Sequence, residues 1–182
     1  MEEGVEPDAQ HIREFTIDGK TIGVVGLGRI GQEVALKAKY GFGMNVDYYS
    51  RTRKPELEEQ HGYKFKPLDE VMKADIVSVH LPPDAPREMI GREQLGMIKD
   101  GAVLVNTSVG HVIDQNALFE ELRAGRFYAF LDVYDGLPPR KQLELPNVLP
   151  TYRAGWYTRE SIKRKGDTFI NHLLRYVGTI KK

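Results

Sequence analysis

The chain is 182 residues long, 41% apolar and 29% charged, which is the size and balance of one globular domain, or one and a fraction. Such a domain buries roughly 70% of its unfolded surface. It contains no cysteine, which excludes disulfides, thiolate metal sites and a cysteine nucleophile. Lys+Arg and Asp+Glu balance at 26 each, so no overall field draws the chain to nucleic acid or to a membrane surface. The ends differ: residues 1–20 carry six acids and two bases, whereas 159–182 carry seven bases and two acids. Without aromatic residues interleaved along a basic stripe, the tail reads as a solvated segment rather than a nucleic-acid arm. No apolar run approaches the ~18 residues of a membrane span. The acidic start also lacks the apolar core of a signal peptide, so the expected location is the cytoplasm.

From Thr21 onward, short β-rich runs alternate with helical patterns. Residues 21–25 (TIGVV) read as a buried strand ending in glycines. A helix follows over 30–40, with Ile30, Val34, Ala35 and Ala38 on one face. Strands are predicted at 45–49, 76–80, 102–105 and 128–131, and helical turns at 55–60, 68–73 and 92–98. Asp114 is placed to cap a helix over 115–124 that Gly125 stops. The last helix starts at Thr158 and carries the apolar stripe Ile162, Phe169, Ile170, Leu173, Leu174 and Val177. Residues 136–150 hold four prolines and read as the longest irregular segment, a length often associated with function. Continuous apolar strands separated by amphipathic helices predict an α/β fold, a doubly wound parallel sheet of the Rossmann type in one domain.

Gly26-Leu27-Gly28-Arg29-Ile30-Gly31 is G-x-G-x-x-G between a predicted strand and a predicted helix, the context that gives the pattern its meaning. Gly26 permits a tight turn, Gly28 lets backbone approach a pyrophosphate, and Gly31 lets the helix pack against the strand. The unpaired N–H groups at the helix start would hold the anion. The plainer reading is a glycine turn with no ligand.

Cofactor choice is read at the tip of the second strand, where an acid would bind an adenosine ribose 2′-hydroxyl. Ser50, Arg51, Thr52 and Arg53 occupy that tip. Two guanidiniums and two hydroxyls suit a 2′-phosphate, so NADP(H) is favoured over NAD(H). Asp47 is the competing residue, lying in mid-strand. A solvated basic turn is the alternative for Arg51 and Arg53.

At this point the sequence resembles the D-isomer-specific 2-hydroxyacid dehydrogenases, most closely the glyoxylate/hydroxypyruvate reductases. The matching text is GKTIGVVGLGRIGQEVA at 19–35, YYSRTRKPELE at 48–58 and ADIVSVHLP at 74–82. It continues with GAVLVNTS at 101–108, the D-x-x-AL helix from Asp114, LDV at 131–133 and PNV at 146–148. The resemblance spans about 18–178, after an N-terminal extension of residues 1–17. It implies an NAD(P)-binding domain alone, without the domain that handles the substrate in that family. It also implies that His80, Leu81 and Pro82 line the nicotinamide side of the cleft. Thr107 and Ser108 would reach the cofactor, and Asp132 would accept from the nicotinamide carboxamide. A capped strand end and an internally satisfied histidine are the plain alternatives for Asp132 and His80.

The resemblance breaks where hydride transfer needs a cation and a proton donor. Val109 stands where the family has an arginine, Leu137 where it has a glutamate, and Tyr152 nearest to its histidine, with Arg153 adjacent. His111, Tyr152 and Arg153 are possible substitutes. The loops at 82–90 and 126–132 are one residue shorter than the family pattern, and one residue is extra near Gly41. His11, His61 and His172 are scattered without metal-ligand spacing, so no metal is expected. Three functions fit: a dinucleotide-binding domain with little or no turnover alone, an NADPH-dependent 2-oxoacid reductase completed by a partner chain, and a nucleotide-sensing interaction module. Self-association is expected through exposed apolar surface at Trp156, Tyr157 and the last helical stripe.

Overall fold

The structure is a computed structural model that describes residues 16–136 and 140–180. Seven strands form one sheet, all in parallel. They are β1 (Thr21–Val25), β2 (Asn45–Tyr49), β3 (Lys64–Phe65), β4 (Ile76–Val79), β5 (Val103–Asn106), β6 (Tyr128–Leu131) and β7 (Val148–Pro150). Their order is β3-β2-β1-β4-β5-β6-β7, the doubly wound Rossmann arrangement with the order reversing between β1 and β4.

The helices are α1 (Arg29–Phe42), α2 (Pro55–His61), α3 (Leu68–Val71), α4 (Arg92–Gly96), α5 (Gln115–Arg123), α6 (Arg140–Leu143) and α7 (Arg159–Ile180). The strands split their side chains between two cores because alternate residues point to opposite faces. Ile22 and Val24 of β1 join Val46 and Tyr48 of β2 with Ala35 and Ala38 of α1. Val25 joins Val77, Val79, Leu104 and Leu131 with Leu95 of α4 and Leu118, Phe119 and Leu122 of α5. The Asp114 carboxylate caps α5 by accepting from Ala117 N at 3.1 Å, and Gly125 (φ 72) ends it in a left-handed turn.

Three features depart from the sequence expectation. β3 lies unforeseen at the sheet edge, and β5 runs one residue later than predicted. The proline-rich segment 136–150 holds α6 and the seventh strand rather than loop throughout. Pro150 is tolerated because β7 is an edge strand that it ends.

Two apolar surfaces stay open. Residues 159–178 of α7 are all exposed, its stripe included. On the sheet, Tyr128 and Phe130 of β6 and Leu149 of β7 are also exposed.

Candidate cofactor site

The strand register builds the site. Tyr49, Val25, Val79, Asn106, Leu131 and Pro150 end their strands as successive cross-strand partners. The residues that follow, Ser50, Gly26, His80, Thr107, Asp132 and Thr151, therefore line one carboxyl edge, where doubly wound sheets bind ligands.

The glycine turn is tight at two of its glycines and open at the third. Gly26 adopts φ 99, and a Cβ there would lie 2.5 Å from the His80 carbonyl oxygen. Its N–H donates to Tyr49 O at 2.8 Å, closing the turn onto β2. A Cβ on Gly31 would lie 2.1 Å from the Gly26 carbonyl oxygen, so only glycine lets α1 start this close to the turn. Nothing lies within 4 Å of a Cβ built on Gly28, which is the N-cap of α1 and offers no side-chain cap. The helix thus presents uncapped N–H groups to open space, with Arg29 and Ile30 exposed beside them. The first turn contains no acid, so nothing opposes an anion there. This cradle fits a dinucleotide pyrophosphate.

At the β2 tip the four candidate residues behave differently. Ser50 Oγ donates to Thr52 O at 2.5 Å, folding the bend. Arg51 is exposed and has no ion-pair partner among the described residues. Arg53 is engaged instead: its Nε and Nη2 donate to the two Glu58 carboxylate oxygens at 2.8 and 2.7 Å. The Arg53 bond is the main cause that holds the Glu58 pKa down at about 2. Asp47, the competing acid, is buried and paired with Lys66 Nζ at 2.6 Å. That pairing occupies it within the sheet.

His80 follows β4, donates its N–H to Val25 O at 2.7 Å, and sets its ring Nε2 2.8 Å from Ser78 Oγ. Burial pulls its pKa below the ordinary histidine value, favouring the neutral imidazole. Leu81 packs against the core, and Pro82 O accepts from Ala85 N at 3.0 Å, turning the loop. After β5, the buried Asn106 side chain organises the next turn. Its Oδ1 accepts from Ser108 N at 3.0 Å and Ser108 Oγ at 2.9 Å, and its Nδ2 donates to Val109 O at 3.0 Å. Thr107 is exposed on that turn. Sequence reasoning passed over Asn106, although one amide ending an apolar strand was the available signal.

The positions that would carry hydride-transfer chemistry hold other contacts. Val109 packs against the larger core. A Cβ on Gly110 would lie 2.0 Å from the Tyr134 carbonyl carbon, so the turns after β5 and β6 meet backbone to backbone. His111 Nε2 lies 3.1 Å from Ala85 O, and its own carbonyl accepts from Glu88 N at 2.8 Å. It is thus tied to the 82–90 loop, which an Arg87–Asp135 ion pair also fastens to the β6 loop. Leu137 lies outside the described residues.

Asp132 is buried and saturated with donors. Its Oδ1 accepts from Thr151 Oγ1 at 2.6 Å, Ala154 N at 2.6 Å and Gly155 N at 3.1 Å. Its backbone O accepts from Arg153 N at 2.8 Å. The loop so held carries Tyr152 (φ 48) and Arg153 (φ 63), two consecutive left-handed residues that are not glycine. Both side chains are exposed, and the Tyr152 ring lies 6.3 Å from that of Tyr134. Among the described residues no group of acids and histidines could hold a metal, and no described helix is long and apolar enough to cross a membrane.

The sequence model of the D-isomer specific 2-hydroxyacid dehydrogenase NAD-binding domain matches residues 1–152. A glyoxylate reductase of Thermococcus litoralis is 39% identical over 167 residues, covering 89% of this chain and 50% of the relative. A hydroxypyruvate reductase of Thermotoga maritima is 39% identical over 168 residues, covering 88% of this chain and 54% of the relative. The solved D-lactate dehydrogenase of Aquifex aeolicus, complexed with NAD and lactic acid, is 28% identical and superposes with a TM-score of 0.83. That match covers 96% of this chain and 58% of that one. The chain thus spans about half the length of the curated relatives it matches. It belongs to the D-isomer specific 2-hydroxyacid dehydrogenase family, as a NAD-binding domain close to the glyoxylate reductases.

Proposed function

We propose that this chain binds NADP(H) in preference to NAD(H) and turns over little or no 2-oxoacid by itself. In this reading residues 18–178 form the dinucleotide-binding domain. The observation that carries the reading is the uncapped amide cradle at Gly28 together with the exposed Arg51 at the β2 tip, whose competitor Asp47 is held by Lys66. A 2′-phosphate is a dianion, and a free guanidinium at the strand tip favours it over a hydroxyl.

When bound, the reduced nicotinamide supplies a hydride. The residues of this chain supply its seat. Gly26, Gly28, Arg29, Ile30 and Gly31 hold the pyrophosphate, while Ser50, Arg51, Thr52 and Arg53 form the tip around the adenosine ribose. His80, Leu81, Pro82, Thr107, Ser108 and Asp132 border the nicotinamide end. Val109 cannot hold a carboxylate, because an isopropyl group offers neither charge nor donor. Steady-state oxidation of NADPH with glyoxylate or hydroxypyruvate tests this reading: the expected rate is at background, and sustained turnover would refute it.

One observation favours the second reading, a reductase completed by a partner chain. Left-handed backbone at non-glycine residues is costly and gathers at functional sites, and here it displays Tyr152 and Arg153, a hydroxyl donor and a cation. For the third reading, an interaction module, the support is the uncovered α7 stripe together with exposed Tyr128, Phe130 and Leu149. A helix and a sheet face that both lack cover suit self-association, with one copy's helix on another's sheet. Sedimentation with and without NADPH tests this, since a monomer at all concentrations would exclude it.

A further inference from the structure

The β2 tip offers two arginines by sequence, yet the structure uses them for different purposes. Arg53 presents the Nε/Nη2 edge of its guanidinium to Glu58, and its charged face sits 5.9 Å from the Phe65 ring centroid. Glu58 Oε1 also accepts from the Tyr48 hydroxyl at 2.8 Å, and that same hydroxyl accepts from Lys54 N at 2.7 Å. Tyr48 is fully buried and its ring packs 5.4 Å from Phe65. Burial pushes its phenol up to about 12, so it remains a donor. The lock thus joins β2, the tip, the first turn of α2 and β3. The Glu58 side chain is 16% exposed and that of Arg53 60%, so the pair is half open to solvent and its hold rests on the bidentate geometry and on the Tyr48 bond.

We propose that Glu58 is a positioning residue for cofactor choice: it holds Arg53 away from the ribose, so that Arg51 alone meets an adenosine 2′-phosphate. The inference rests on the reading of the tip as the ribose site. Its consequence is electrostatic. The carboxylate cancels the Arg53 charge, so the site offers one net cation where the sequence shows two. Releasing Arg53 adds a second cation beside a dianion, an attraction that falls only gradually with distance.

The test is calorimetric titration of NADPH and NADH into the wild-type chain, Glu58→Gln, Arg53→Ala, Arg51→Ala and the double variant Glu58→Gln/Arg53→Ala. The readout is the ratio of the two affinities, which a purely structural role would leave unchanged because loosening the turn weakens both nucleotides alike. Glu58→Gln is expected to raise the NADPH preference by about 3- to 10-fold, and adding Arg53→Ala should remove that gain. Arg51→Ala should cut NADPH binding on the order of 100-fold and leave NADH nearly unchanged. Arg53→Ala leaves the Glu58 carboxylate uncompensated and should lower the ratio by about 3- to 10-fold, less than Arg51→Ala does, whereas the double variant removes the neutral pair and should keep the wild-type ratio. If Arg51→Ala lowers the ratio and Glu58→Gln does not move it, the role of Glu58 is overturned while the ribose-site reading stands. If neither variant moves the ratio, the ribose-site reading fails and takes the proposal with it. Should Glu58→Gln not fold, Arg53→Ala decides: a loss as large and selective as that of Arg51→Ala overturns the proposal, and a smaller loss of about 10-fold or less, as expected of a bared carboxylate, supports it.

Discussion

The two ends of the strand edge make a direct comparison. At the β1–β2 end, glycine turn and strand tip leave their binding groups open: the α1 amides have no cap, and Arg51 has no described partner. At the β5–β7 end the loops are occupied with one another. Asp132 is saturated by three donors, Gly110 abuts the Tyr134 backbone, Val109 is packed and His111 is bound to the 82–90 loop. The difference teaches that one carboxyl edge can hold open backbone donors at one end and loops bonded to one another at the other.

The largest effects are expected within the glycine turn, where two substitutions separate folding from binding. Gly31→Ala forces a methyl against the Gly26 carbonyl, costing about 1–3 kcal/mol of stability and most nucleotide binding. Gly28→Ala meets open space and should melt like the wild type, yet lose roughly 10- to 100-fold in affinity, since the added methyl occupies room needed by the pyrophosphate. Equal melting losses in both variants would show that the turn is only structural.

The opposite end should respond in stability rather than binding. Asp132→Ala strands the donors of Thr151, Ala154 and Gly155 and should cost about 2 kcal/mol in a denaturant titration. NADPH affinity should fall by less than about 10-fold, because that energy belongs mainly to the loop. A selective loss of nucleotide binding at unchanged stability would instead make Asp132 a cofactor contact before all else.

A smaller effect sharpens the boundary between the ends at His80. Burial holds its folded pKa below the ordinary value, so the unfolded chain binds a proton that the folded chain refuses. Stability tied to His80 is therefore present above about pH 6.5 and declines as the pH falls below it. Melting at pH about 7.5 and about 5.5 should show this decline in the wild type and a shallower one in His80→Gln.

Much of this architecture is legible in the residues themselves. TIGVV and IVSV read as strands because both their faces are buried, and the Asp114 cap and Gly125 stop are short-range signals that survive in the fold. β3 escaped notice because two residues at an exposed edge carry no periodicity. β7 was hidden by the prolines around it, since its place depends on pairing with β6 rather than on local propensity. The glycine roles were readable because steric need is local. The partner of Arg53 was not, because Glu58 meets it only once Lys54 and Pro55 have turned the chain into α2. The donors around Asp132 likewise come from a loop some twenty residues on, whose left-handed turn no residue type announces.

The most direct test of the central claim is one titration carried through to chemistry. NADPH is added to the wild-type chain in a calorimeter, and the saturated sample is then mixed with hydroxypyruvate while nicotinamide absorbance is followed. Saturable binding that Gly28→Ala abolishes or weakens, with absorbance that stays constant after mixing, is the predicted result. Either the absence of binding heat or a sustained fall in absorbance would contradict the account, the first at the cradle and the second at the loops.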